Sequence, residues 1–191
     1  MNFFASLNNF CLDFKDFSTN YKFIRKSKDP QLGEVQLMKH KPSGKVFQVK
    51  EQSVENENDL NELLSALEDF LPYNSCNNFM VFLGFSIRQI LLPAKIVRNP
   101  TTNSVKWTVY MIYEYIDHDL EKEITLKIKS DGRNFEESFL WKIMSSIVNC
   151  LEILEKTGRR YGDFRPCNVY YSKQENKLKL LYSNYAKTSF E

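Results

Sequence analysis

Three segments near the start of the chain have the residue pattern of short β-strands. Residues 21–24, 33–38 and 46–50 mix β-branched, aromatic and polar side chains, and the third segment has an alternating pattern. Residues 42–45, with the sequence Pro-Ser-Gly-Lys, are typical of a turn. Antiparallel pairing of these strands across short turns is the simplest prediction.

A helix and further strands follow. Leucines at the spacing of one helix face predict a helix over residues 59–71, which Pro72 ends. These leucines are Leu60, Leu63, Leu64, Leu67 and Leu71. The apolar stretch 79–98 contains at least one strand, and a turn at residues 99–104 follows it. Residues 105–115, rich in β-branched and aromatic side chains, are predicted to be the last strand of a five-stranded sheet.

The second half of the chain is predicted to be mainly helical. Polar residues 117–134 connect the sheet to a long helix at residues 135–157, and Gly158 suits the position just past its end. The predicted buried stripe of this helix consists of Phe139, Leu140, Ile143, Ile147, Leu151 and Leu154. A short strand pair, residues 169–171 and 178–181, follows. The pattern therefore predicts an α+β fold.

Composition narrows the class of protein. Of the 191 residues, 42% are hydrophobic and 26% are charged, which favours a buried core over disorder. The formal net charge of +2 argues against a dedicated nucleic-acid binder. No apolar segment approaches the roughly 20 residues of a membrane helix. The N-terminal residues also lack the basic flank of a signal peptide.

The four cysteines indicate free thiols. They form no CxxC pair, and His40 and His118 are distant from them in sequence, which argues against a zinc site. A secreted disulfide scaffold is normally smaller and richer in cysteine, so we expect a reducing, intracellular compartment.

The most specific motif lies at residues 161–169, Tyr-Gly-Asp-Phe-Arg-Pro-Cys-Asn-Val, which resembles the catalytic loop of a protein kinase. The segment keeps Asp163, Arg165, Pro166 and Asn168 at the family's spacing. The order of the predicted elements also resembles that family: antiparallel strands, one helix, two more strands, a hinge and a long helix.

Three weaker matches support the resemblance. Residues 33–35 resemble the end of the glycine-rich loop, and residues 46–50 resemble the strand that carries the phosphate-binding lysine, here Lys50. Residues 111–116 resemble the last strand and hinge, with Tyr113 at the gatekeeper position.

The resemblance covers residues 21–186 and implies a two-lobed organisation. Residues 21–116 would form a kinase-like N-terminal lobe, a five-stranded antiparallel sheet plus one helix. Residues 117–191 would form a truncated helical C-terminal lobe. Residues 1–20 are predicted to be an extension that clips onto the domain itself or onto a partner.

Departures from the family pattern predict impaired phosphate binding. Lys28 and Pro30 stand where the glycine-rich loop has its first two glycines, and a proline there removes an N–H donor. The helix glutamate that pairs with the strand lysine is also missing. Glu62 is out of phase with the leucine stripe, so Leu60 takes that place and leaves Lys50 without its partner.

The metal-binding motif is predicted to be lost. Alignment of residues 178–181 with the preceding strand of the family places Tyr182-Ser183-Asn184 on the Asp-Phe-Gly motif, where no carboxylate remains for Mg²⁺. The chain ends at Glu191, which leaves no residues for an activation segment or substrate-binding helices. The resemblance therefore implies a degenerate, truncated pseudokinase without catalytic residues, metal or cofactor.

Each remaining kinase position has a structural interpretation beside the catalytic one. Lys50 either contacts a phosphate or is simply solvated. Asp163 either acts as a general base or makes structural hydrogen bonds in its turn, and Asn168 either binds metal or ties the same loop down. Tyr182 either acts in catalysis or packs in the nucleotide cleft. We favour the structural interpretation at all four positions.

The sequence thus predicts a catalytically inactive, pseudokinase-like structural or scaffolding subunit of a larger assembly. Its protein partners are expected to cover the 135–157 helix and to engage the N-terminal extension, with neither nucleic acid nor a membrane span. We expect the isolated chain to be poorly soluble or to self-associate. The expected location is intracellular and cytoplasmic, with cytoskeletal, ciliary or organellar assemblies as candidate sites.

Other functions remain as alternatives. A nucleotide-binding pseudokinase without turnover would use Lys50, Glu114 and Ile116 to hold ATP. An active, atypical kinase would need Mg²⁺ ligands from elsewhere and would lose phosphotransfer on substitution of Asp163→Ala. A nucleic-acid binder has only scattered lysines and aromatic residues in its favour.

Overall fold

The chain folds as an α+β protein. The computed structural model describes residues 6–91, 105–116, 120–131, 135–160 and 164–181, and these contain eight strands and four α-helices. The chain divides into two compact units. The first comprises Met1–Leu71 and Phe82–Tyr115, and the second comprises Pro72–Val81 and Ile116–Glu191. Each unit has its own buried cluster of apolar side chains.

A six-stranded mixed sheet forms most of the first unit. Its strands are β1 (Cys11–Leu12), β2 (Tyr21–Asp29), β3 (Gly33–His40), β4 (Val46–Val54), β5 (Phe82–Leu91) and β6 (Val105–Glu114). They lie in the order β1-β5-β6-β4-β3-β2, and β1 is parallel to β5 whereas all the other pairs are antiparallel. The prediction of a five-stranded antiparallel sheet is wrong, because β1 adds a sixth strand that is parallel to its neighbour. Its two residues are too few to give a periodic pattern in the sequence.

The N-terminal residues are part of the first unit. A 3-10 turn at Asn8–Phe10, strand β1 and helix α1 (Phe14–Asn20) follow each other, and the Asp13 carboxylate caps α1 by accepting from two backbone N–H groups. Phe17 of α1 is buried against the sheet. The N-terminal extension was predicted to attach either to the domain itself or to a partner, and the structure shows it attached to the domain.

Helix α2 (Glu57–Glu68) follows β4 and confirms the predicted helix with shifted ends. The side chain of Asn56 accepts a hydrogen bond from the backbone N–H of Asp59 at 2.8 Å and caps the helix. Leu63 and Leu67 are buried, as the leucine spacing predicts. Strand β4 extends to Val54, beyond the predicted end at residue 50, so only Glu55 and Asn56 separate it from the helix.

The second unit combines two helices with a hairpin. They are α3 (Leu120–Asp131), α4 (Glu137–Lys156), β7 (Tyr170–Ser172) and β8 (Lys177–Lys179). The prediction of a connector at residues 117–134 is wrong for α3, whose apolar side is formed by Leu120 and Ile124 in the core. The long helix and the strand pair are confirmed.

The core of the second unit contains residues from both of its chain segments. Tyr73 and Phe79 pack with Phe139 and Leu154 of α4 and with residues of the hairpin. The backbone of residues 78–80 is held alongside Leu180, since Met80 donates to the Leu180 carbonyl and Leu180 donates to the Asn78 carbonyl, at 2.7 and 2.8 Å.

The predicted buried stripe of α4 is only partly correct. Phe139 and Leu154 are buried, but Leu140 and Leu151 are exposed. Apolar residues lie on more than one side of this helix, so their spacing alone did not identify the buried side. Gly158 ends the helix with φ +66°, as predicted, and its N–H donates to the carbonyl of Glu155.

Several predictions fall outside the described residues. These include residues 92–98 of the apolar stretch, the turn at 99–104, Asp163 and Tyr182. Among the described residues, no helix has both the length and the apolar character needed to cross a bilayer. All four cysteines carry free thiols.

Candidate functional site

Lys50 lies in the middle of β4, opposite Met111 of β6. Its side chain is half-buried, and the Nζ atom donates a hydrogen bond to the carbonyl oxygen of Leu32 at 2.5 Å. Leu32 belongs to the turn between β2 and β3. The lysine is therefore attached to the turn that the kinase resemblance equates with the glycine-rich loop, rather than simply solvated.

The β2–β3 turn is built around the buried carboxylate of Asp29. Its Oδ1 atom accepts hydrogen bonds from the backbone N–H groups of Gln31 and Leu32, at 2.9 and 2.8 Å. Pro30 fixes the backbone between them, and Gly33 takes a φ of +75° that favours glycine. The sequence analysis missed Asp29. Its signal was the Asp-Pro dipeptide, which is typical of the first two positions of a type I turn.

Charge and burial act in opposite directions on Lys50. Burial lowers the pKa of the ammonium group below its ordinary value, whereas the nearby Asp29 carboxylate favours the charged form and partly offsets this. The turn thus supplies a carbonyl oxygen and a negative charge to the lysine. A bound phosphate would likewise offer the lysine an acceptor oxygen and a negative charge.

In the kinase resemblance, helix α2 would carry a glutamate that pairs with Lys50, and the structure has no such pair among the described residues. Glu62 is exposed on α2, while Leu63 and Leu67 occupy its buried side and Leu60 is half-buried. In the described part of the chain, no ion pair joins Lys50 to a carboxylate of α2.

The hinge-like segment at the end of β6 begins in an aromatic cluster. Tyr113 is buried, with its ring centroid 5.5 Å from that of Phe82 and 6.0 Å from that of Phe70. Glu114 is the last residue of β6, where it pairs with Phe47, and Ile116 follows outside the strand; both are half-buried. The part of Glu114 and Ile116 in nucleotide binding stays a prediction.

The catalytic-loop-like segment is described from Phe164 onward. Pro166–Asn168 form a 3-10 turn in which the Asn168 N–H donates to the Arg165 carbonyl at 2.8 Å, and the Asn168 side-chain oxygen accepts from the Cys167 thiol at 3.8 Å. The following residue, Val169, accepts from the backbone of Leu120 at 2.7 Å. Asn168 thus makes structural contacts within its loop. The roles of Asp163 and Tyr182 stay predictions.

A buried lysine in the adjacent hairpin was also missed by the sequence analysis. The Lys179 side chain is only 4% exposed and its Nζ atom lies 2.9 Å from Glu175, whose other oxygen is 3.2 Å from Lys177. Burial raises the pKa of Glu175, but hydrogen bonds and charges from the two lysines outweigh it and leave the pKa below its ordinary value. Alternation of Lys179 with Leu178 and Leu180 would place the lysine on an exposed face, so no local signal indicated its burial.

The described residues contain no group of three or more His, Cys, Asp or Glu side chains arranged to hold a metal ion. No protein-family model matches the chain, and no curated protein matches it significantly.

Proposed function

We propose that this chain is a catalytically inactive, protein kinase-like protein that serves as a structural subunit of a larger assembly. The order of elements supports the kinase-like fold. In the first unit, three antiparallel strands are followed by α2 and two more strands. In the second unit, the long helix α4 precedes the turn that bears Asn168, and a short hairpin follows.

The observation that carries the inactive state is the closed β2–β3 turn. Phosphoryl transfer depends on backbone N–H groups and a lysine that hold the phosphates. Here Asp29 already accepts from the N–H groups of Gln31 and Leu32, and Lys50 donates to the Leu32 carbonyl. Pro30 has no N–H to offer. The groups that would bind a phosphate are therefore bonded to one another.

The structural role is supported by an exposed apolar surface in the second unit. Large apolar side chains of α4 face the solvent, including Trp141 and Met144. Surfaces of this kind commonly mark protein–protein interfaces. A partner for the N-terminal extension would meet its exposed polar side, since Leu7 and Phe17 are buried.

Nucleotide titration tests the proposal. We expect wild-type chain to show no saturable binding of a fluorescent ATP analogue at millimolar concentration, with or without Mg²⁺. In the matched variant Asp29→Asn, the amide oxygen can still accept from the turn but the negative charge is gone. We expect this variant to gain weak binding that a further Lys50→Met substitution removes.

The outcomes separate the alternatives. Magnesium-dependent binding by the wild type, or phosphotransfer that Asp163→Ala abolishes, would contradict the inactive state. Binding by the wild type without Mg²⁺ would support a nucleotide-binding protein without turnover. If the Asp29→Asn variant does not bind the ATP analogue, the Asp29 carboxylate is not what prevents phosphate binding.

A further inference from the structure

Strand β2 forms one edge of the six-stranded sheet. Among the described strands it pairs only with β3, so the N–H and C=O groups on its other side face no neighbouring strand of that set. The strand is nine residues long, Tyr21–Asp29, and most of its side chains are exposed. An edge strand of this kind is able to pair with an extended segment of another chain.

The length and the apolar residues of β2 distinguish it from a protected edge. Sheet edges that avoid pairing are usually very short or blocked by charge. Strand β2 is long, and Phe23 and Ile24 in its first half are 48% and 46% exposed. Ile24 is the extra residue where the register with β3 shifts, and the ladder is regular again from Arg25 to Asp29. The edge therefore offers apolar contacts beside a regular run of backbone groups.

The exposed charges of β2 are all positive. They are Lys22, Arg25, Lys26 and Lys28. None of these four forms an ion pair with another residue of the described ranges. The acid of the strand, Asp29, is buried and lies near Lys50, whose charge offsets its own. The edge thus presents four positive charges to a ligand and no exposed negative charge of its own.

Charged groups beside β2 do not reverse this balance. On β3, Glu34 lies opposite Lys28 and Lys39 lies opposite Lys22, so the acid and the base of β3 offset each other. Two acids and two bases lie in α1 or next to it, and they are Asp13, Asp16, Lys15 and Lys41. The surroundings of the edge therefore leave it positive.

The four cations are divided between the two faces of the sheet. Residues directly opposite each other in an antiparallel ladder point to the same face. Arg25 lies opposite Leu37, and Lys22 is on the same face. Lys26 and Lys28 lie opposite Gln36 and Glu34, on the other face. An anionic surface that met one face of the sheet would contact only two of the cations, whereas a strand laid along the edge has side chains on both faces.

We propose that the β2 edge binds an extended, acidic segment of a partner protein, which joins the sheet as a further strand beside β2. The backbone of the segment pairs with the outward groups of β2, its carboxylates face the cations, and its apolar side chains cover Phe23 and Ile24. A second copy of the same edge does not fit, because cations would then oppose cations. The proposal goes beyond the structural role and does not depend on the kinase-like fold, because it uses only β2 and its neighbours.

A synthetic peptide of alternating glutamate and valine, labelled with fluorescein and as long as β2, tests the proposal. Valine favours the extended conformation, and the alternation places all carboxylates on one face, where Lys26 and Lys28 meet them. We expect fluorescence anisotropy to show saturable binding to the full chain, with a dissociation constant of about 10–100 µM at low salt. A lysine–valine peptide of the same length should not bind.

Charge reversal at the edge tests the position of the site. Lys26→Glu with Lys28→Glu should weaken binding of the glutamate–valine peptide about tenfold or more, and should allow binding of the lysine–valine peptide. Lys129→Glu with Lys142→Glu is the matched control, because it changes the net charge equally at exposed positions on α3 and α4. The control should change the dissociation constant by less than about twofold. Circular dichroism checks that both variants fold.

Amide hydrogen exchange of the wild type separates strand addition from attraction between side chains, and it requires no variant. New ladder hydrogen bonds should slow exchange in residues 21–29 when the glutamate–valine peptide is added, and exchange in α2 should stay unchanged. A short oligothymidylate, an anion that forms no β-ladder, should neither slow this exchange nor displace the peptide. The proposal is overturned by the absence of saturable binding, by equal weakening in the two variants, by binding without slower exchange in β2, or by displacement with the oligonucleotide.

Discussion

At the scale of single residues, Gly84 shows how one absent side chain holds the N-terminal segment on the sheet. Its φ is +147°, and a Cβ atom at this position would lie 2.5 Å from the carbonyl oxygen of Phe10. The Phe10 ring stacks on Phe82 with 6.2 Å between centroids. Phe10 directly precedes β1, so the close approach at Gly84 accompanies the pairing of β1 with β5.

Gly84→Ala should therefore destabilise the chain and loosen residues 7–20. We expect a loss of about 3 kcal/mol from the steric clash and the strained backbone, measured by urea unfolding. Gly44→Ala is the matched control: its φ is +70° but no atom lies within 4 Å of the added Cβ, so about 1 kcal/mol is expected. Equal losses in the two variants would show that the Phe10 contact contributes nothing.

Asp29 marks the limit of what the sequence reveals at this scale. The Asp-Pro dipeptide indicates a turn from local chemistry alone. The approach of Lys50 to that turn depends on the pairing of β3 with β4, which brings residues eighteen positions apart together. A local pattern contains no information on such a contact, so the bonding of Lys50 was not predicted.

At the scale of elements, the β7–β8 hairpin depends on Glu175. The carboxylate bridges Lys177 and Lys179, and its pKa lies below its ordinary value in the folded chain. A group with a lowered folded pKa stabilises the fold above its unfolded pKa and loses this contribution as the pH falls through the folded value.

Glu175→Gln should therefore destabilise the chain at pH 7, and this difference should shrink as the pH is lowered below about 4.5. We expect an effect of about 0.5–1 kcal/mol at pH 7, because the carboxylate is partly exposed and screened. Urea unfolding of both proteins across this pH range provides the measurement. Glu62→Gln, at an exposed site on α2, serves as the control, and an identical pH dependence for the two variants would exclude the bridge as its cause.

The sequence predicted where helices form better than it predicted which side of each helix is buried. Leucine spacing predicted α2, and its buried residues Leu63 and Leu67 agree with it, because that helix has a single apolar side. Helix α4 has apolar residues on two sides, so its period located the helix but not which side is buried. Helix α3 was missed because its many charged residues obscure a short apolar repeat, of which Leu120 and Ile124 reach the core.

At the scale of the whole molecule, the two units were only partly foreseeable. The chain order of strands and helices follows from local patterns, and it supports the α+β class. The placement of Pro72–Val81 in the second unit does not follow from local patterns. It depends on the hydrogen bonds that Met80 donates to the Leu180 carbonyl and that Leu180 donates to the Asn78 carbonyl, between residues about a hundred positions apart. Pairing at such separation is decided by the assembled core rather than by the segment's own sequence.

Separate cores predict separate responses to core mutations. Leu154 is buried in the core of the second unit, and Ile112 is buried in that of the first. Each substitution to alanine should cost about 2–5 kcal/mol in the unit that holds it, because it leaves a cavity. Amide hydrogen exchange of the full chain, followed by mass spectrometry, reads both units at once.

Leu154→Ala should accelerate exchange in α4 and the β7–β8 hairpin more than in β4 and β6, and Ile112→Ala should do the reverse. The two variants are controls for each other, since both remove a large apolar side chain from a fully packed site. If either substitution accelerated exchange equally in both units, the chain would open as one cooperative body, and the two buried clusters would act as a single core.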